Sequence, residues 1–372
     1  MFFLFSYNAL LVKLILSIAL IILLFGCGGG GGSNDFDSNN VDNDGITNSG
    51  LSGYLFFEGN DNAYLMNIMS GIYTKIPNTD WDRQLDRFDS GSLFYIRPVL
   101  NDHSEFIITA HDCELLRPYG SRSCVAIQSY NGEYNGFFVL PESGEVYTSA
   151  LSPDKRYIAM FINYNNNEWL EIRNRNGEIV SDGIISSNNG DYAWLPSGRI
   201  IYAYGRRFMF TFENSAITEY YLELPNGIYT NSDIGNFSVS HDGQNIAFEL
   251  HGSDGIKPYI LNIASTSVRQ LADCTSGNEF ISIREPTWSP DNKWILVTYG
   301  SHEVPGNAQV GSAAYYYAVP VDNENKVYII SAIDEERSPE VKSILRNTSL
   351  DNDVNQGLTD RALVDRTVHW IP

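Results

Sequence analysis

Residues 286–297 read PTWSPDNKWILV: a tryptophan, a tight turn, then an apolar run. Pro290 fixes its own φ near −65° and pushes Ser289 toward an extended conformation, so a strand carrying Trp288 must end here. Asp291 and Asn292 suit a tight turn, because short polar side chains can hydrogen-bond nearby backbone N–H groups. Lys293 to Thr298 then bring tryptophan, isoleucine, leucine, valine and threonine, which favour a strand. The segment is predicted to be a β-hairpin.

Degraded copies recur. Residues 150–161 read ALSPDKRYIAMF, 193–204 read AWLPSGRIIYAY, and 238–250 read SVSHDGQNIAFEL. Pro153, Pro196, His241 and Pro290 mark the turns at spacings of 43, 45 and 49 residues. A period of ~40–45 residues with several strands per repeat is the pattern of a β-propeller blade. Helical repeats of similar length are excluded, since almost no segment carries an i, i+3, i+4 apolar stripe. NEWLEIRNRNG and KPYILNIAS supply further strands in which aromatic and β-branched residues alternate with polar ones.

Residues 367–372, TVHWIP, look like the first strand and turn of a repeat whose remainder is missing. GYLFFEG (53–59), AYLMNIM (63–69) and YTKIP (73–77) are three strands lacking a first. Joining the two completes a blade and leaves no free edge. The predicted fold is therefore all-β, a six-bladed propeller closed by pairing of N- and C-terminal strands. Its blades fall at 365–372 plus 53–78, 80–141, 146–181, 190–226, 234–271 and 283–331. In the second, FDSGSLFYI (88–96) is read as the turn.

The motif W-S-P-D-N-K-W-I at 288–295, with L-S-P-D-K-R-Y-I at 151–158, resembles the repeat of TolB-type six-bladed propellers. The likeness covers roughly residues 53–372. It implies the fold and leaves the function open, because folds host many functions. Unlike TolB, this chain shows no βαβ pattern before the ring.

Residues 1–26 read as a lipoprotein signal peptide. One charge, Lys13, precedes an apolar run from Leu14 to Phe25, the length of a signal-peptide core. Leu24-Phe25-Gly26-Cys27 resembles a bacterial lipobox with a bulky Phe25, which implies cleavage before Cys27 and acylation of its thiol. An uncleaved anchor is the competing reading. Residues 27–50 are rich in Gly, Asn, Ser and Asp and cannot bury enough apolar surface to fold, so they form a flexible tether. Its reach is on the order of 25 Å. Asn40, Asp42, Asp44 and Gly45 match the start of a calcium loop, but Leu51 stands where the bidentate glutamate belongs. The propeller domain is 51–372.

The formal charge of −21 argues against nucleic acid as a partner, since a polyanion repels such a surface. With Cys27 assigned to lipid, Cys113 and Cys124 are the expected disulfide and Cys274 a buried thiol. No G-x-S-x-G, CxxC or H-E-x-x-H is present, so no catalytic residue, metal site or cofactor is assigned. Asp154, Asp242 and Asp291 recur at one position of the repeat and read as turn formers. Insertions at 101–124, 300–312 and 332–366 are where binding loops would lie. SPEVKSILR (338–346) within the last is predicted to be a short helix, with Ser338 as its cap and Pro339 at its first turn. His302, Glu303, Tyr315 and Tyr317 are the candidate binding residues.

Two functions of different class follow. The first is a lipid-anchored module of the bacterial cell envelope, on the outer membrane, facing the periplasm or the cell surface. It would bind a protein or glycan without catalysis. The second is a propeller enzyme, such as a polysaccharide lyase with an axial site, which should show a basic, histidine-rich axis.

Overall fold

The computed structural model describes residues 50–59, 62–70, 73–77, 94–110, 123–139, 145–164, 167–181, 192–204, 207–211, 218–221, 234–252, 255–274, 281–301, 315–331, 334–345 and 368–372. They form six four-stranded antiparallel sheets, the blades of a propeller. Blade 2 runs Phe94–Pro98, Glu105–Ala110, Cys124–Ser129, Tyr134–Val139 from inside out. Blade 3 is Glu145–Leu151, Tyr157–Tyr164, Asn167–Asn174, Ile179–Ser181, and blade 4 is Tyr192–Trp194, Ile200–Tyr204, Arg207–Thr211, Thr218–Tyr221. Blade 5 comprises Ile234–Val239, Asn245–Gly252, Gly255–Asn262, Val268–Gln270. Blade 6 comprises Ile281–Trp288, Trp294–Ser301, Tyr315–Pro320, Lys342–Leu345.

Blade 1 joins distant parts of the chain. His369–Ile371 is its innermost strand, followed by Tyr54–Gly59, Asn62–Asn67 and Tyr73–Lys75. The register pairs Tyr54 with Ile371, Leu55 with Trp370 and Phe56 with His369. The Trp370 indole donates to the Ser52 carbonyl at 2.9 Å, and Thr287 of blade 6 donates to the Val368 carbonyl at 3.0 Å. The ring is closed as the sequence predicts.

The Ser-Pro-Asp repeat has a physical cause. In blade 3 the Ser152 hydroxyl donates to Asp154 (2.7 Å) and accepts from the Tyr157 amide (2.9 Å), while Asp154 accepts from the Arg156 amide (3.1 Å). Blade 5 repeats this with Ser240, Asp242, Gln244 and Asn245, and blade 6 with Ser289, Asp291, Lys293 and Trp294. Serine and aspartate thus satisfy the amides that the tight turn leaves without partners. The residue after the aspartate is left-handed each time: Lys155 at φ 60°, Gly243 at 71° and Asn292 at 57°. At Gly243 a Cβ would also lie 2.9 Å from Pro196 Cδ, so glycine serves there. The turn aspartates are structural.

Between blades lie six apolar clusters. Ile158, Met160 and Ile162 face blade 2, whereas Ala159 and Phe161 face blade 4. Each blade is covered on both sides, so central strands such as Glu105–Ala110 and Cys124–Ser129 are buried along their whole length. Val368 and Trp370 pack toward blade 6, and Ile371 toward blade 2.

Three sequence readings are corrected. Residues 338–345 of the segment read as a helix (338–346) are not helical: Ser338 closes a turn on Val341, and Lys342–Leu345 is the outer strand of blade 6. The Ser338 amide and hydroxyl are both engaged with the backbone of Ile329, so no cap is available. Tyr328–Ile330, inside the bounds 283–331 read for blade 6, pairs in parallel with Ala272–Cys274, and the blade extends to Leu345. In blade 2 the first hairpin turn lies over 99–104, where Asp102 accepts from the Ser104 amide at 2.6 Å. Of FDSGSLFYI, residues 94–96 are already in the inner strand, and 88–93 lie outside the described residues.

Candidate functional site

The innermost strands of all six blades surround an axial cavity of about 160 Å³. Each strand ends at a turn, so residues a few places before each turn line the axis. Arg97 and Tyr192 stand four places before Asn101 and Pro196, and His369 three before Pro372.

Arg97 Nη1 donates to the Tyr192 carbonyl at 2.9 Å, and its guanidinium lies 5.1 Å over the Tyr192 ring. The Tyr192 hydroxyl shares its proton between the carbonyls of Ala159 (2.8 Å) and Thr148 (3.1 Å) in blade 3. Burial pushes this phenol up to about 12, so it stays protonated. His369 Nε2 lies 3.1 Å from the Ile96 carbonyl and donates to it. Desolvation, with the Arg97 charge behind it, lowers this imidazole to about 3 and keeps it neutral.

At the turn end, a bridge crosses the axis. Blades 2 and 5 are opposite in a ring of six, yet Asn101 donates to the His241 carbonyl at 3.0 Å and meets His241 Nδ1 at 2.6 Å. The His241 amide donates to Asn292 of blade 6 at 2.7 Å. Desolvation lowers the His241 imidazole. Farther along the wall, the buried Glu249 carboxylate accepts from Asn236 (3.2 Å) and from the Glu285 amide (2.5 Å), and lies 3.1 Å from His251 Nε2. Glu285 is left-handed at φ 53°, so Glu249 holds a strained bulge in the wall of the axis.

The residues picked from the sequence lie elsewhere. His302 and Glu303 fall outside the described residues, as do Cys27 and Cys113. Tyr315 begins the third strand of blade 6. Tyr317 is fully buried: its ring is edge-on to Tyr299 with Arg337 stacked over it, and its hydroxyl donates to the Ser331 carbonyl at 3.0 Å. It is a core residue between blades 5 and 6, not part of a binding surface. Tyr316 faces the opposite way, toward blade 1. Cys124 is disulfide-bonded, whereas Cys274 is a partly buried thiol outside any disulfide. Among the described residues no cluster of three or more His, Cys, Asp or Glu suits a metal ion.

No protein-family model matches the chain, and no curated protein matches it. Solved structures do. A protein of unknown function from Bacteroides caccae superposes with a TM-score of 0.51 at 10% identity, over 86% of this chain and 99% of that one. TolB from Acinetobacter baumannii gives 0.48 at 14% identity, over 73% of this chain and 64% of that one. The likeness is one of fold. This chain is a six-bladed propeller in architecture.

Proposed function

We infer that the protein is a lipid-anchored binding module of the bacterial cell envelope, taking a protein or glycan partner at the axial face of the ring. One observation carries this reading: both axial imidazoles are occupied by structural bonds, His369 with the Ile96 carbonyl and His241 with Asn101. An acid–base catalyst needs a group titrating near the working pH and within reach of substrate. His369, lowered to about 3, does not meet that condition. The anchor rests on the lipobox-like Leu24-Phe25-Gly26-Cys27. Cys113 is proposed as the partner of Cys124, because Cys27 is reserved for lipid.

The polysaccharide lyase is the second reading, favoured by the presence of Arg97, His241 and His369 around one cavity. A photo-crosslinking residue placed at Pro372, on the axial face, separates the two; the same residue at Ile179, on the outer edge of blade 3, is the control. A binding module should give adducts from Pro372 and few from Ile179. Release of unsaturated ends from an acidic polysaccharide, lost in His369→Asn, would establish the lyase instead. Cys27→Ala should move the protein from the membrane fraction or leave its precursor uncleaved; a mature mass that retains residues 1–26 would refute the anchor.

A further inference from the structure

Among the described residues, the Arg97 guanidinium lines the axial cavity with one donor engaged, Nη1. Arg97 spends Nη1 on the Tyr192 carbonyl, and among the described residues it pairs with no carboxylate. That is unexpected in a chain with 45 acidic residues and 24 basic ones. Glu285, on the same cavity wall, has a carboxylate oxygen 3.4 Å from the Thr298 hydroxyl. A second donor is also unmet. Trp288 lines the cavity, is buried, and its indole Nε1 has no acceptor among the described residues. The equivalent indoles of Trp194 and Trp370 both donate to carbonyls, of Ala150 and Ser52. The Trp288 nitrogen is enclosed by protein atoms, so it does not face the cavity.

We propose that the axial cavity binds a carboxylate through the Arg97 guanidinium. Nη2 and Nε form the planar fork that fits two carboxylate oxygens. Leu151, Val239 and Pro286 supply apolar wall for the body of the ligand. The cavity suits a small organic acid or the terminal residue of a chain, and both present the same group. This deepens the axial-face reading given above. A bound anion would also offset the Arg97 charge that helps to keep His369 neutral, so His369 reports occupancy. Glu285, His241 and Tyr192 are the other titratable groups on this wall.

The test uses the full chain in detergent, titrated by calorimetry and by NMR of the His369 ring. Benzoate is compared with its neutral isostere benzamide, and the peptide Ala-Ala-Phe with a free C-terminus is compared with its amide. Benzoate should bind about ten-fold or more tighter than benzamide, and only the acid should shift the His369 signals toward a higher pKa. Arg97→Gln should erase the preference. Melting by circular dichroism checks that each variant is folded; where Arg97→Gln is not, Arg97→Lys keeps the charge, loses the fork and should retain part of the preference. Equal affinity for benzoate and benzamide in the unmodified protein, or an unchanged preference in folded Arg97→Gln, overturns the proposal. A stronger acid-over-amide preference for the peptide identifies a chain terminus as the source; selectivity confined to benzoate identifies a small organic acid. Crosslinking from Pro372 without carboxylate selectivity would leave the binding module standing and remove this site. Carboxylate selectivity without axial crosslinks would do the reverse.

Discussion

Blades 1 and 5 have the same architecture and opposite origins. Blade 5 is one continuous stretch, Ile234 to Gln270, opened by the Ser240–Asp242 turn network. Blade 1 borrows its innermost strand from more than 300 residues away, and a single short strand, His369–Ile371, makes the join. Local chemistry holds blade 5, because a turn that satisfies its own amides fixes the register of the hairpin. Blade 1 has no such turn between its first two strands. Its register depends on where side chains fit: Trp370 between blades 6 and 1, Ile371 between 1 and 2. A propeller therefore tolerates a blade without a hairpin turn, provided that the displaced strand carries large residues on both faces.

The strongest way to break this comparison is to end the chain at Asp365. That removes a buried tryptophan, worth ~3–5 kcal/mol, and several ladder hydrogen bonds of ~1 kcal/mol each. Against a typical stability of ~5–15 kcal/mol the loss is severe, and it exposes the inner edge of Tyr54–Gly59. Melting temperature should fall sharply and light scattering should rise. An unchanged melt with a monomeric protein would mean that the join does not hold the ring.

A milder route is acid. Unfolded, the His369 imidazole takes a proton below 6.5; folded, it does so only below about 3. The unfolded state therefore binds more protons between these values. Stability is fully present above 6.5 and is lost as pH falls through that window. His241, also lowered, adds in the same direction. His369→Asn should flatten the part of the fall that belongs to blade 1. Further loss at lower pH comes from carboxylates such as Asp102 and Glu105, where desolvation, which raises them, is outweighed by the hydrogen bonds and charges of Lys155 and Arg175, so that they stay below their ordinary values. A denaturant-unfolding series across pH in both proteins reads the difference; identical slopes would show that His369 is not the acid-sensitive group.

The smallest expected effect lies in blade 5. Ser240→Ala removes the hydroxyl that bonds Asp242 and the Asn245 amide, and should cost about 1–2 kcal/mol without altering ring closure. A loss as large as that of the truncation would show that the hairpin turns, not the join, are the weak points.

What the sequence made legible follows the same division. Serine, proline and aspartate act within six residues, so the turns, the period and the blade count could be read directly. TVHWIP (367–372), a first strand and turn without the rest of its repeat, also revealed the join. Local rules misled at Ser338, where a valid helix start was overridden by the open edge of blade 6, which Lys342–Leu345 fills. The axial site was illegible for a different reason. Arg97, Tyr192, Glu285, Trp288 and His369 come from different strands, and no local pattern announces that they share a wall. The available signal was register: aligning the repeats on their turns would have placed the positions just upstream of each turn on the axis.

The Asn101–His241 bridge has a topological consequence. Hydrogen bonds that join opposite sides of a ring divide its opening into two narrower ones. Where neither half passes a polymer, the axis is a socket and not a tunnel: whatever enters must leave by the mouth it came in. A socket reads ends. An internal stretch of peptide or polysaccharide would have to fold back on itself to reach Arg97, whereas a terminus arrives directly.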